Sequence, residues 1–199
     1  MTKQSEIVNA AQELFNSYGF DKTTMTDIAK RLGISKASLY YYFKDKESII
    51  RSLAIKEQEQ FVDELQTIIA NSSCTKDRLL AYSEKRVELL QKRMTLSSVN
   101  LITHNSIKNI FSSILEDFGK QEIQLVSEIF QLGLEKNEIS EIDIREHAEL
   151  YLDILRGLRR KAFYNSIKVE LFHLPPEEIA IVQKQSKLFT EIFYKGISK

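Results

Sequence analysis

The two prolines of this chain stand side by side, at Pro175 and Pro176, so everything before them runs without the one residue that forces a helix to break. Glycine is almost as scarce, with 6 in 199 residues, and apolar side chains return at every third and fourth position through most of the sequence. A chain so poor in breakers and so regular in helical period is expected to be all-α. Its 43% of hydrophobic residues allows a real core, and no internal repeat, low-complexity tract or alternating strand pattern competes with that reading.

Ile7, Ala10, Ala11, Leu14, Phe15 and Tyr18 form one stripe of a first helix, which Gly19 stops. Thr24, three residues before Asp27, starts a short second helix as a capping box with Asp in place of Glu, and Ile28, Ala29 and Leu32 give its buried side. Only Gly33 and Ile34 then precede Ser35, which can cap a third helix over about 36–43. So short a connection makes the two helices cross steeply, as in a helix-turn-helix. A fourth helix opens at Asp45 or Lys46 and runs to the polar break Asn71, Ser72, Ser73. Further helices are expected over 79–90, over 110–118 with a stop at Gly119, over 125–136, from a cap at Asp143 to about Ala162, and after Pro175. In the last, Ile179, Val182, Phe189 and Phe193 face one way and Ile181, Leu188 and Ile192 another, so packing on two sides is expected, one of them a second subunit.

The balance of 28 Lys and Arg against 28 Asp and Glu excludes a uniformly basic surface but not a local basic patch. A single cysteine, Cys74, excludes a disulfide framework. Polar Thr2 to Ser5 lead directly into an amphipathic pattern rather than a signal peptide, and no stretch approaches the roughly 18 apolar residues of a membrane span, so a cytoplasmic protein is expected. His104, His147 and His173 are too scattered for a metal site, and no nucleophile elbow, phosphate-cradling loop or dinucleotide fingerprint occurs. Neither a cofactor nor an enzyme is expected.

A helix turns by about 100° per residue, so Tyr40, Tyr41 and Tyr42 fan over about 200° and cannot all face a core already served by Leu39 and Phe43. Exposed phenols on such a helix can pack on sugars and donate to phosphates, with Lys44 and Lys46 supplying charge to the backbone and Lys36 and Ser38 placed near the helix N-terminus, where base edges are reached.

Ala10-Ala11 with Leu14-Phe15, Gly19, Thr23-Thr24, Ile28-Ala29, Gly33-Ile34-Ser35, Leu39-Tyr40-Tyr41-Tyr42-Phe43 and Lys46-Glu47, in order and without gaps over about residues 5–50, resemble the DNA-binding domain of the tetracycline-repressor (TetR/AcrR) regulators. The resemblance implies base contacts at Lys36 and Ser38, phosphate contacts at Tyr40, Tyr42 and Lys46, and sugar packing at Tyr41; Thr24, Ala37 and Lys44 complete the expected DNA-binding set. Where the family often has Gly or Pro this chain has Ala37, and where it often has His, Tyr42; these departures bear on the operator sequence rather than on the fold.

The resemblance further implies a DNA-binding domain over 1–50, with its helix-turn-helix at about 24–43, and a helical ligand-binding and dimerisation domain over 51–199. The implied partners are a double-stranded operator with inverted symmetry, a second copy of the chain and a small apolar effector, with ligand-relieved repression as the default. The charge-free stretch over 94–107 mixes Ser97, Ser98, Asn100, Thr103 and His104 with apolar residues, as a pocket wall does. Beside it, Tyr82, His104, Phe111, Phe130 and Tyr151 are the expected pocket residues, and Leu155, Leu158, Leu188 and Ile192 the expected dimer contacts. The competing reading is a helical ligand-binding protein or enzyme that keeps the helix-turn-helix only for packing.

Overall fold

The computed structural model describes residues 2–92, 105–165 and 175–199, apart from the side chains of 89–92, 105–113, 115 and 161–165. Its helices are α1 (Lys3–Tyr18), α2 (Met25–Arg31), α3 (Lys36–Tyr42), α4 (Lys46–Asn71), α5 (Thr75–Lys92), α6 (Asn105–Glu135), α7 (Ile144–Asn165) and α8 (Pro176–Ile197). Among the described residues the strand-like contact is one antiparallel bridge, between Ile139 and Ser198, and the fold is all-α as expected. The described residues fall into two units, one within Met1–Gln60 and Met94–Asp117, the other within Phe61–Arg93 and Phe118–Lys199; α4 and α6 each contribute to both.

The first unit closes on a core of Ile7, Ala11, Phe15, Phe20, Ile28, Leu39, Phe43, Ile49, Ile50 and Leu53. Each of its short helices is fixed by a local device. At the start of α2, Thr24 Oγ1 accepts from Asp27 N (3.2 Å) while the Asp27 carboxylate accepts from Thr24 N (2.9 Å), a full capping box. At its end, Ile34 N donates to Ala29 O and Gly33 N to Lys30 O, both at 3.1 Å, the paired bonds that close a helix around a left-handed residue. Gly33 supplies that residue, with φ +66°. Ser35 Oγ then accepts from Ser38 N (3.0 Å) to start α3, and Asp45 Oδ1 accepts from Ser48 N (2.7 Å) to start α4.

The second unit buries Phe61, Leu65, Ile69, Leu79, Tyr82, Phe118, Val126, Ile129, Phe130, Tyr151 and Leu152 in one cluster, with Phe189 and Phe193 packed against it. Its helix ends are tied by long side chains. Arg78 donates to the carbonyls of Ile69 (3.2 Å) and Ser72 (2.9 Å) at the end of α4, and the Glu138 carboxylate accepts both Thr75 N (2.5 Å) and Thr75 Oγ1 (2.6 Å) at the start of α5. The loop before α7 is held to the end of α8 through Ser140 N to Ile197 O (2.7 Å). The two helices expected over 110–118 and 125–136 are one helix, α6, and Gly119 does not stop it. The helix runs through this glycine, and a Cβ there would stand 3.3 Å from Nη2 of Arg156 on α7.

Candidate nucleic-acid interface

The third helix is anchored from beneath. Leu39 is fully buried and Phe43 nearly so, both in the core of the first unit, which turns the other side of the helix outward. On that side Lys36, Ala37, Tyr40 and Tyr41 are exposed, followed by Lys44 just after the helix. Tyr41 is 83% exposed and Tyr40 48%, so both rings are open to a partner. Ser38 is half-buried. Tyr42 packs partly on the core and meets Tyr41 edge to face, with centroids 5.1 Å apart. Lys44 lies 4.0 Å from Asp45 in an exposed pair that leaves its ammonium largely in water.

Two residues of the expected set have their polar atoms committed within the domain. Thr24 spends its hydroxyl and its N–H on Asp27, with Oγ1 donating to Oδ2 at 2.6 Å, and these bonds hold the Asp27 carboxyl below its ordinary range. The Lys46 ammonium donates to the carbonyls of Phe20 (2.6 Å) and Thr23 (2.7 Å) and stands 4.3 Å from the centre of the Phe20 ring. Neither commitment extends to the exposed face of α3.

Of the expected pocket residues, Tyr82, Phe130 and Tyr151 come together in the second unit. All three are fully buried; the two tyrosine rings are 6.3 Å apart, and Phe130 stacks on Phe193 at 5.9 Å. The Tyr151 hydroxyl donates to Leu79 O (3.1 Å) and lies 2.9 Å from Thr190 Oγ1. His104 and the side chain of Phe111 lie outside the described residues, as does the stretch 93–104 that contains most of the charge-free segment.

Sequence reasoning missed a buried charged cluster beside Tyr82. The Glu122 carboxylate, 2% exposed, accepts from Tyr82 OH (2.7 Å), from Arg86 Nε (2.6 Å) and Nη2 (3.3 Å), and from Arg156 Nη2 (3.3 Å). Burial works against its charge, but Arg86 and Tyr82 overcome that and hold the carboxyl below its ordinary range. Burial, reinforced by the neighbouring carboxylate, pushes the Tyr82 phenol well above its own. The signal was present: Glu122 falls between Phe118 and Leu125, and Arg86 one turn after Tyr82, charges set within apolar stripes.

The expected dimer contacts divide. Leu188 and Ile192 are exposed, at 55% and 59%, whereas Leu155 is buried in the unit's own core and Leu158 packs against it. Among the described side chains, α7 presents the large apolar residues Leu150 and Ile154 to solvent, and α8 adds Ile181. These two helices pack on each other.

A short capped helix presented by a glycine turn on a three-helix core defines the helix-turn-helix class of DNA-binding domains. Residues 7–53 match the sequence model of the bacterial regulatory proteins of the tetR family. A transcriptional regulator from Cytophaga hutchinsonii, known from its crystal structure, is 30% identical and superposes with a TM-score of 0.85 over 99% of each chain. The protein belongs to the TetR family of transcriptional regulators. The fatty acid metabolism regulator protein of Bacillus subtilis is 26% identical over 144 residues, 72% of this chain and 74% of that one. The crystal structure of a transcriptional regulator, FadR, from Bacillus subtilis in complex with stearoyl-CoA shares the fold, with a TM-score of 0.63 at 22% identity over 98% of this chain and 100% of that one. Among the described residues no helix is long and apolar enough to cross a membrane.

Proposed function

We propose that this regulator is a ligand-responsive repressor that binds an inverted-repeat operator as a homodimer in the cytoplasm. The observation that carries the reading is α3 itself. Its buried Leu39 and Phe43 fix a face on which Lys36, Ala37, Tyr40 and Tyr41 are open together, and Lys44 follows. Lys36 and Ser38 at the start of the helix read bases, while Tyr40, Tyr42 and Lys44 hold phosphates and Tyr41 packs on sugars. The exposed Ile181, Leu188 and Ile192 of α8 with Leu150 and Ile154 of α7 are the surface that pairs two copies. The effector is a small molecule with a largely apolar body, bound in the second unit near Tyr82, Phe130 and Tyr151. An acyl chain is the form supported by the relative named for fatty acid metabolism and by the fold-mate seen with stearoyl-CoA.

The test is fluorescence anisotropy on labelled fragments of DNA flanking the gene, with and without long-chain acyl-CoA. Tight binding to one fragment, lost in Tyr41→Ala while thermal stability stays unchanged, and release by the acyl-CoA are expected. Equal affinity of Tyr41→Ala and the parent would remove α3 from the interface; no release by long-chain acyl-CoA would remove the acyl-effector assignment.

A further inference from the structure

Lys46 opens α4, and the family pattern makes it a phosphate contact. Its surroundings describe another role. The ammonium is half-buried and directed at two main-chain carbonyls, Phe20 O at 2.6 Å and Thr23 O at 2.7 Å, with the Phe20 ring under it at 4.3 Å. Phe20 and Thr23 form the turn between α1 and α2, and the residue after Thr23 is the N-cap of α2. Thr23 is itself fixed, its hydroxyl donating to Gly19 O (2.8 Å) and reaching Leu14 O (3.4 Å). One side chain therefore binds the first residue of α4 to the turn that aims the helix-turn-helix. Lysine suits this position because a compact ammonium with three rotatable donors can serve two converging carbonyls and keep an aromatic face.

We infer that Lys46 is a positioning residue, whose ammonium locks the α1–α2 turn to the start of α4 and which acts on DNA binding through the placement of α2 and α3 rather than through a phosphate. The inference rests on the reading of this domain as the DNA-binding one.

Salt dependence separates the two roles. Removing one phosphate-bound lysine from each subunit of a dimer makes the slope of log K against log salt shallower by about 1.8. Lys46→Met, which removes two charge-assisted hydrogen bonds from each subunit, is expected instead to weaken binding by at least about tenfold, with the slope unchanged. Affinities are taken per folded protein, with folding followed by circular dichroism, so a merely destabilised domain would show no loss. A second measurement uses the unaltered protein. In reductive methylation without DNA, Lys46 is expected to react much more slowly than Lys36 and Lys44, because its protons are already held. A slope shallower by about 1.8, unchanged affinity of the folded variant, or Lys46 methylated as fast as Lys44 until DNA is added would each overturn the inference. If the unaltered protein binds no flanking DNA, it is the DNA-binding reading that fails, while the methylation result still judges the lock.

Discussion

Arg86→Met removes the strongest partner of a carboxylate that has almost no access to water. Glu122 would lose the bonds at 2.6 and 3.3 Å and keep the Tyr82 hydroxyl at 2.7 Å and Arg156 at 3.3 Å, a guanidinium one-third exposed and shared with Asp153. Breaking a buried ion pair costs about 3–5 kcal/mol, and the two surviving donors place this loss at the lower end, about 3 kcal/mol. For a chain of this size that is a fall in Tm of roughly 6–12 °C. The pH dependence gives a second signature. In the parent, a folded carboxyl held below its ordinary 4.5 contributes stability that is complete above that value and is lost as pH falls through the folded one. Without Arg86, burial prevails and the folded carboxyl titrates higher, so the variant's deficit is greatest near about pH 7 and shrinks toward about pH 5. Adding Glu122→Gln should then recover part of the loss, by a coupling of about 1–3 kcal/mol. Thermal unfolding at the two pH values, for both single variants and the double, is the assay. A Tm within about 2 °C of the parent for Arg86→Met, or a deficit that grows as the pH falls, would refute the reasoning.

Leu188→Asp puts a charge on the exposed side of α8, and because Leu188 adds little to the chain's own core, the expected product is a folded monomer by light scattering that binds operator poorly. Gly133→Ala would set a Cβ 2.5 Å from Thr75 Oγ1 and 3.3 Å from Ile139; Thr75 is fully buried and bound to Glu138, so the strain should cost about 1–3 kcal/mol in denaturant unfolding.

The parts of the fold that are legible in the sequence are those whose cause lies within a few residues. Thr24 and Asp27 cap α2 reciprocally, Ser35 caps α3, Asp143 Oδ1 accepts Glu146 N (2.9 Å) at the start of α7, and Gly33 closes α2 in the left-handed region. Spacing alone reveals such devices, because donor and acceptor are fixed by the helix itself. Gly119 shows where that reasoning stops. Its neighbours in sequence suggest a local stop, but α6 continues through it, and what lies against it is Arg156 of α7, far away along the chain.

The same distinction governs the functional residues. That Tyr41 stands open follows from counting around one helix, since Leu39 and Phe43 already occupy the inward side, whereas Tyr40 and Tyr42 flank that side equally and only the structure shows Tyr40 to be the more open. Counting cannot decide α7, which has apolar residues on two sides: Leu155 and Leu158 turn inward and Leu150 and Ile154 outward, and either assignment satisfies the helical period. Charge needs the same care, for Lys46 looks DNA-facing when its segment is taken by itself, while Arg86 and Glu122 stand within apolar stripes that do not say which partner each one meets. Each is held by partners more than 20 positions distant, Phe20 and Thr23 for Lys46, and Arg86 and Glu122 for one another. A charged residue inside an apolar stripe is therefore evidence for a buried partner rather than for solvent, because an unpaired charge there would cost more than the helix could recover.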